Sequence, residues 1–218
     1  MFIQKKDMQD LKNARKEYKL KELMETNIDQ DPVEMFSVWI EDALNSDNFY
    51  PNAMVLSTVS PDQRPSSRIV LLKDFSEKGF DFFSSYRSKK AQHMEKHQYA
   101  SLLFFWHELE RQVRIEGRVE KVSLEESDAY FKKRPRESQI SAWASPQSSI
   151  VLSREDLENR YRKMDMVFVD IPRRPTSWGG YRLVPDLFEF WQGREYRLHD
   201  RIEYVKEDKG WKIHRLAP

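Results

Sequence analysis

The stretch WQGREYRLHDR, residues 191–201, concentrates three arginines and a histidine in eleven residues. If this stretch is extended, alternate side chains share a face, so Arg197, His199 and Arg201 point in one direction. Cations this close repel one another unless a negative group lies between them. The pattern therefore predicts either neighbouring carboxylates or a bound anionic ligand at this face.

Two further segments combine cations with hydroxyl groups or with a strand. Residues 84–90 read SSYRSKK and run into a predicted helix start, where free backbone amides favour a phosphate group. Arg68 and Lys73 bracket the apolar strand segment IVLL. The alternative interpretations are capping serines followed by surface lysines, and strand-end cations that extend into water.

A third cluster contains Tyr130 and Arg134, which share a helix face at a spacing of four, and Ser138, which follows after Pro135. A phenol, a guanidinium and a hydroxyl directed at one point form a suitable phosphate clamp, although KKRPRES can also be a solvated basic turn. Two phosphate-sized clusters predict that the protein binds two phosphorylated small molecules. Nucleic acid is disfavoured as a partner, because acidic stretches separate the clusters and the net charge is only +1.

The composition excludes several other kinds of site. The chain has no cysteine, which excludes disulfide bonds, thiolate catalysis and cysteine-ligated metals, and it has no P-loop or G-x-G-x-x-G motif. His93 and His97 have the spacing of two metal ligands on a helix, but Met94 stands where a zinc protease has its glutamate. Two ordinary surface histidines are therefore expected, and no metal is predicted.

Targeting signals are equally sparse in the sequence. No segment approaches the ~20 apolar residues of a membrane span, and the charged N-terminus lacks the apolar core of a signal peptide. These observations predict a cytoplasmic protein that does not contact a membrane.

The elements that must position these clusters follow from the hydrophobic period. A marginal helix or arm is predicted over residues 8–24, and a helix after the N-cap pair Asp31 and Pro32. Later helices are predicted over residues 88–97, 124–133 and 154–168, with a restart after Pro135. Strands are predicted over residues 53–59, 68–73, 80–84, 100–107, 111–122, 180–184, 187–191, 202–206 and 211–216.

Hairpin-like neighbours predominate among these strands, and no βαβ alternation occurs. The expected fold is therefore mainly β, an antiparallel barrel with flanking helices. A single domain is expected over residues 31–218, with an arm or lid segment over residues 1–30.

Six segments in a fixed order resemble the pyridoxamine 5′-phosphate oxidase family: RIVLLK, SLLFFWHELERQVRIEG, SQISAWASPQSS, SWGGYR, EFWQGREYRLHDR and the closing KIHRLAP. The resemblance runs from about Arg15 to Pro218. It implies an FMN-binding split barrel, and a homodimer with FMN in clefts between the subunits. The implied reaction oxidises pyridoxamine or pyridoxine 5′-phosphate to pyridoxal 5′-phosphate, with dioxygen as acceptor and hydrogen peroxide released.

The resemblance also implies which residues bind each molecule. Arg197 and His199 lie at catalytic positions beside the substrate ring, together with Leu198, and it stays open whether His199 removes a proton or only orients the substrate. Lys73, Tyr130, Arg134 and Ser138 fall on substrate-phosphate positions, and Arg15, Lys16, Glu17 and Tyr18 on a segment that closes over the site. The FMN-binding positions are Arg68, Ile69, Val70, Leu71, Leu72, Lys73, Phe83, Ser84, Lys89, Lys90, Gln112, Gln147, Ser148, Trp191 and Arg201.

Two positions depart from the family pattern. Phe83 stands where a tyrosine is common, and Lys89 stands where an arginine is common, which keeps the charge but loses the bidentate fork. Two alternative functions remain at this point. One is a different split-barrel flavin reductase, and the other is a non-catalytic module that binds pyridoxal phosphate.

Overall fold

The computed structural model describes residues 17–218, which form five helices and nine strands. The helices are α1 (Pro32–Leu44), α2 (Lys89–Lys96), α3 (Leu124–Lys133), α4 (Arg136–Ala144) and α5 (Arg154–Val167). The strands are β1 (Ala53–Val59), β2 (Pro65–Leu71), β3 (Asp74–Ser76), β4 (Gly79–Ser85), β5 (Tyr99–Trp106), β6 (Arg111–Lys121), β7 (Trp178–Gln192), β8 (Asp200–Glu207) and β9 (Gly210–Arg215). Within this part of the chain, no helix combines the length and apolar character needed to cross a bilayer.

All the strand pairs are antiparallel, and the sheet runs in the order β2-β1-β5-β6-β7-β4-β3. The two ends of this order meet, because β3 follows β2 after only two residues. The backbone N–H of Lys73, in this short connection, donates a hydrogen bond to the carbonyl of Asp81 in β4 at 2.9 Å. The sheet thus closes on itself, which confirms the predicted antiparallel barrel with flanking helices.

The long strand β7 takes part in two different pairings. One side pairs with β6 along its length, while the other side pairs with β4 over residues 178–183 and with β8 over residues 187–192. The sequence predicted two strands here, interrupted near Pro185, but β7 is continuous. Proline is tolerated because the register against β6 shifts between Glu116 and Gly117, opposite this residue. We call the point where β7 changes its partner from β4 to β8 the fork. It separates the barrel from the β8–β9 hairpin.

Helix α1 closes one end of the barrel. The Asp31 carboxylate accepts the backbone N–H of Val33 at 2.8 Å, which is the predicted N-cap. Phe36 is fully buried and packs edge-on against Phe80 with ring centroids 5.0 Å apart. Leu44 is 62% exposed because it lies in the last turn, beyond the packed part of the helix.

One local prediction is wrong. Residues 195–199 are not an extended strand leading into β8, because a 3₁₀ turn spans Glu195–Arg197, with positive φ at Tyr196 (57°) and Arg197 (62°). Arg197 and His199 therefore do not share a strand face with Arg201. Residues 8–24 were predicted to form a marginal helix or an arm, and residues 17–24 contain no helix, because few apolar side chains are available there to hold a helix against the barrel. Residues 8–16 lie outside the described part of the chain.

Candidate functional site

A cleft of about 860 Å³ opens where β2, β4 and the α3–α4 junction meet. Strands β2 and β4 supply one wall, and the ends of the two helices supply the other. The residues that line the cleft are Ser66, Ser67, Arg68, Ile69, Val70, Leu71, Lys73, Phe83, Ser84, Lys89, Lys90, Tyr130, Lys133, Arg134, Pro135, Ser138, Gln147, Ser148 and Trp178. Six of these side chains are cationic and none carries a carboxylate, so the cleft suits an anionic ligand.

The cations include two pairs in which the charge of one member lowers the pKa of the other. Partial burial lowers the pKa of Lys90 to about 8, and the charge of Arg68 adds to this effect. Partial burial also lowers the pKa of Lys73, together with the charge of Arg134. Each pair carries mutual repulsion without a neutralising carboxylate, which is the electrostatic condition of a phosphate subsite. One cleft therefore offers two anion-binding pairs.

Lys90 is held by neutral hydroxyl groups. Its ammonium group donates to Ser84 Oγ at 3.0 Å and to Ser88 Oγ at 3.2 Å. The Gln147 side-chain oxygen accepts from Ser84 Oγ at 3.1 Å and from the Ser85 backbone N–H at 3.2 Å. The loop after α4 is thereby tied to strand β4, and the hydrogen-bond partners of Lys90 carry no charge that would neutralise its ammonium group.

Arg134 ends helix α3 and lies over the indole of Trp178, with its guanidinium carbon 4.5 Å from the ring centroid. Its Nη1 atom is buried and has no hydrogen-bond partner among the described residues. Burial also lowers the pKa of this guanidinium, and the nearby Tyr130 hydroxyl opposes the effect. A buried guanidinium nitrogen without an acceptor indicates that a ligand atom completes its hydrogen bonding.

Three aromatic rings stack along one wall of the cleft. Phe83 lies 3.9 Å from Tyr130 and 5.6 Å from Trp178 between ring centroids, with interplanar angles of 17° and 16°. Gly180 makes room for this stack, since a Cβ atom there would lie 2.8 Å from a Phe83 ring carbon. Replacement of the common tyrosine by Phe83 thus leaves a flat apolar ring surface at this position.

A second cluster, which we call the Trp191 cluster, contains Tyr18, Trp191 and His199. The His199 ring lies 4.7 Å from Trp191 and 5.7 Å from Tyr18 between centroids. Tyr18 packs against Gly193, where a Cβ atom would lie 2.6 Å from the Tyr18 ring. The described end of the predicted lid segment is therefore seated on the end of β7.

One backbone contact determines which ring nitrogen of neutral His199 carries the proton. The Arg194 N–H donates to His199 Nδ1 at 3.1 Å, so the neutral ring carries its proton on Nε2. Partial burial and the charge of Arg197 lower the pKa of His199, while Asp200 opposes them. Arg197 itself is exposed and forms no ion pair within residues 17–218. The Trp191 cluster therefore presents an N–H donor from His199, and the guanidinium of Arg197 is available near it.

The negative partner of Arg201 is a carboxylate. Arg201 Nε binds Glu189 at 2.8 Å, and Glu189 also accepts from Arg114 at 2.6 Å. Arg194 likewise binds Asp200 at 3.0 Å. Neighbouring carboxylates thus account for two of the three arginines in residues 191–201, and an external anion is required for neither.

The structure brings most of the predicted binding residues into one cleft, but not all of them. The side chain of Leu72 is buried in the core, at 6% exposure. Gln112, Trp191 and Arg201 form a cross-strand row on β6, β7 and β8, and neither this row nor Arg197 lines the cleft. Arg15 and Lys16 lie outside the described residues. The lining residues that the sequence did not predict are Ser66, Ser67, Lys133, Pro135 and Trp178.

For some of these unpredicted lining residues, the sequence did contain a signal. Trp178 belongs to the SWGGYR segment, and Lys133 adjoins Arg134. Ser66 and Ser67 had none, because the second strand was predicted to begin only at Arg68. Strand β2 begins at Pro65 instead, and it carries both serines into the cleft wall.

Known proteins resemble this chain both in sequence and in architecture. The pyridoxine/pyridoxamine 5′-phosphate oxidase of Paraburkholderia xenovorans is 50% identical over 213 residues, covering 97% of this chain and all of that protein. The protein of the same name from Rubrobacter xylanophilus is 51% identical over 210 residues, covering 96% and 97%.

Solved structures agree with these relatives. PhzG from Burkholderia lata, solved with tetrahydrophenazine-1-carboxylic acid, has a TM-score of 0.86 and 27% identity, covering 91% of this chain and 99% of that one. An FMN-binding protein from Nostoc punctiforme, related to pyridoxamine 5′-phosphate oxidase, shares the fold at a TM-score of 0.70 and 17% identity, covering 88% and 100%.

Two family descriptions match successive parts of the chain. Residues 40–168 match the pyridoxamine 5′-phosphate oxidase family, and residues 178–218 match the pyridoxine 5′-phosphate oxidase C-terminal dimerisation region. The first match contains the cleft residues on β2 and β4 and at the α3–α4 junction, and the second contains the Trp191 cluster residues on β7 and beyond. This chain belongs to the pyridoxamine 5′-phosphate oxidase family.

Proposed function

We propose that this protein is an FMN-dependent oxidase that converts pyridoxamine 5′-phosphate and pyridoxine 5′-phosphate to pyridoxal 5′-phosphate. The observation that carries the proposal is the cleft with two cation pairs, Arg68 with Lys90 and Lys73 with Arg134, and no lining carboxylate. A cofactor and a substrate that each bear a phosphate match these two pairs. We further propose that the enzyme works in the cytoplasm, in the synthesis of pyridoxal phosphate.

The residues at the Arg68 and Lys90 end fit an FMN phosphate. Lys90 has a depressed pKa and contacts only neutral hydroxyls, so a phosphate would relieve the cost of its buried charge. Gln147 and Ser148 line the same cleft and offer further polar contacts. Bound FMN supplies the hydride acceptor that no amino-acid side chain provides, and dioxygen finally takes the electrons and leaves as hydrogen peroxide.

The part of the cleft around Lys73 and Arg134 fits the substrate phosphate. Arg134, with a buried nitrogen that lacks an acceptor, is positioned to bind one phosphate oxygen. Lys73, Tyr130 and Ser138 line the surrounding wall. A phosphate held at this end fixes the position of the pyridine ring, and such positioning lowers a reaction barrier by at most roughly 7–11 kcal/mol.

Arg197 and His199 orient the substrate ring in this proposal. Because His199 Nδ1 accepts the Arg194 N–H, the ring offers Nε2–H as a donor and not as a base. A general-base role would require the opposite tautomer, which would direct two N–H groups at each other. The proposal therefore gives His199 the orienting role and leaves proton removal to solvent.

The site as described in one subunit is incomplete, because Arg197 does not line the cleft. We propose a homodimer in which Arg197 and His199 of the partner subunit complete each cleft. The match of residues 178–218 to a dimerisation region supports this arrangement. Exposed apolar side chains on the sheet, Ile69 at 64% and Phe105 at 53%, provide a surface for such contact.

One anaerobic titration tests the function. Purified protein reconstituted with FMN is expected to lose its flavin absorption band when pyridoxamine 5′-phosphate is added without oxygen, and to regain it with peroxide when air is admitted. A flavin reductase would instead lose the band with NADH. A module that only binds pyridoxal phosphate would not lose the band with either compound, and that result would refute the oxidase assignment.

A further inference from the structure

His93 lies behind the cleft on helix α2 and is not one of the lining residues. The sequence predicted an ordinary surface histidine, but the ring is half-buried, and its Nδ1 atom lies 3.0 Å from the hydroxyl oxygen of Thr58. Thr58 is 2% exposed and belongs to strand β1. His93 therefore has a specific buried partner on the barrel.

The Thr58 hydroxyl also contacts Arg68, one of the two cations at the proposed FMN-phosphate end. Arg68 Nη1 donates to Thr58 Oγ1 at 2.7 Å and to the Leu56 carbonyl at 2.9 Å, while Nη2 donates to Ser66 Oγ at 2.8 Å. No carboxylate holds this guanidinium within residues 17–218. Its orientation therefore depends on neutral acceptors, and Thr58 provides the shortest of these contacts.

The direction of the Thr58 hydroxyl proton determines how well the Thr58 oxygen accepts a hydrogen bond from Arg68. Two acceptors lie within reach of this proton, His93 Nδ1 at 3.0 Å and the Ser66 carbonyl at 3.5 Å. The longer contact is at the limit of a hydrogen bond. A proton directed at His93 leaves the oxygen lone pairs available to the guanidinium.

The charges around His93 favour the neutral ring that this arrangement needs. Burial lowers the pKa of His93, and the positive charges of Arg68, Lys89 and His97 lower it further. Asp62, in the turn between β1 and β2, opposes them, while it also accepts a hydrogen bond from Ser60. Cations outnumber the single carboxylate, so the imidazole is neutral at neutral pH and above.

We propose that His93 is a positioning residue for the cofactor phosphate: its unprotonated Nδ1 accepts the Thr58 hydroxyl proton, and Thr58 in turn fixes Arg68 toward the phosphate. This inference rests on the proposed FMN site. It concerns a side chain three hydrogen bonds removed from the ligand, with no direct part in the chemistry.

The test measures binding of FMN and of riboflavin, which lacks the phosphate, to the FMN-free protein by quenching of flavin fluorescence at pH 8. His93→Leu removes the acceptor and is expected to weaken FMN binding by roughly threefold to tenfold. Riboflavin binding should stay unchanged. His93→Asn places an oxygen acceptor near the former Nδ1 position, and it should restore FMN affinity to within about twofold of wild type.

Two controls separate this role from general damage to the helix. His97→Leu removes the other histidine of the segment, which does not contact Thr58, and should leave the ratio of FMN to riboflavin affinity unchanged. In a Thr58→Val background, His93→Leu should cause no further loss, because the path to Arg68 is already broken. Nitrogen chemical shifts of His93 should show the proton on Nε2.

Distinct results would overturn distinct claims. Unchanged FMN affinity in His93→Leu, an equal loss of riboflavin affinity, a full additional loss in the Thr58→Val background, or a proton on Nδ1 would each refute the role of His93. Failure of the wild-type protein to bind either flavin would instead refute the proposed function.

Discussion

Lys90 differs from two arginines of residues 191–201 in the kind of partner that holds its charge. Arg201 and Arg194 are each paired with a carboxylate. Lys90, although only 8% exposed, has hydroxyl partners and Arg68 as a neighbouring charge. Burial of a cation without a counter-charge costs folding free energy. In the proposed enzyme, FMN supplies the missing negative charge.

The depressed pKa of Lys90 predicts a pH dependence of stability. In the ligand-free protein the pKa of Lys90 falls from 10.5 to about 8, so the unfolded chain binds more protons between these values, and stability rises with pH in that window. Relative to Lys90→Met, the free energy of unfolding of the wild type should increase by on the order of 2 kcal/mol from pH 8 to pH 10. Urea denaturation of both proteins measures this difference, and a constant difference across the window would contradict the assignment.

At the scale of single residues, the sequence predicted cations well and their partners poorly. Arg68, Lys73, Lys90 and Arg134, which the sequence singled out as cations beside hydroxyls or at the ends of a strand, all line the cleft. Their assignment to two phosphate groups stays a prediction. The partner of Arg201 was not predictable in the same way. Glu189 reaches it across the β7–β8 pair, and that contact depends on strand register, which a single sequence does not specify.

The junction between α3 and α4 is the element that assembles the proposed substrate clamp. Pro135 interrupts the helix and separates Arg134 from Ser138. The Gln139 side chain, 2% exposed, donates to the carbonyl of Phe131 at 2.9 Å and to that of Arg134 at 3.0 Å. Gln139 thus caps the end of α3 and fixes the main chain that carries the Arg134 guanidinium.

Substitution of Gln139 should therefore affect stability and substrate binding together. Gln139→Leu keeps the approximate volume but leaves buried carbonyls without donors, which should destabilise the protein by about 1–3 kcal/mol. The Michaelis constant for pyridoxamine 5′-phosphate should rise, while FMN affinity stays near the wild-type value. Glu137→Ala, an exposed neighbour on the same helix, is the matched control. Thermal unfolding and steady-state kinetics measure both effects, and a loss of stability with an unchanged Michaelis constant would remove Gln139 from the clamp.

Regular elements were predictable where the local pattern alone determines them. Helix α3 has its predicted bounds of 124–133 because Ser123 and Glu126 form a capping box. The interruption predicted in β7 was wrong, since β7 accommodates Pro185 through a bulge in which Asp186 has no partner on β6. The 3₁₀ turn at residues 195–197 was missed because Tyr196 and Arg197 adopt positive φ without a glycine to indicate it.

At the scale of the whole molecule, the cleft and the Trp191 cluster serve one function in the proposed enzyme, although they do not line one cavity. Arg134 lines the cleft, whereas Arg197 is exposed and lies outside it. In the proposed homodimer, each site takes Arg134 from one subunit and Arg197 from the other. The division of the chain into an arm over residues 1–30 and a single domain after it stays a prediction.

Mixing two inactive variants tests this shared site. Arg134→Ala and Arg197→Ala should each have little activity alone. After joint unfolding and refolding at equal concentrations, random pairing makes half of the dimers mixed, and each mixed dimer has one intact site. The mixture should therefore recover about one quarter of wild-type activity. No recovery, with mixed dimers demonstrated by tagged subunits, would place both arginines in a site formed within one subunit.

Strand β7 has a geometric consequence for such a dimer. It begins at Trp178 in the cleft wall and passes through the fork to Trp191 in the second cluster. At the rise of an extended strand, these thirteen steps span on the order of 40 Å. Each subunit would contribute the start of β7 to one catalytic centre and the end to the other. The length of the strand would then set the distance between the two catalytic centres and keep that distance constant.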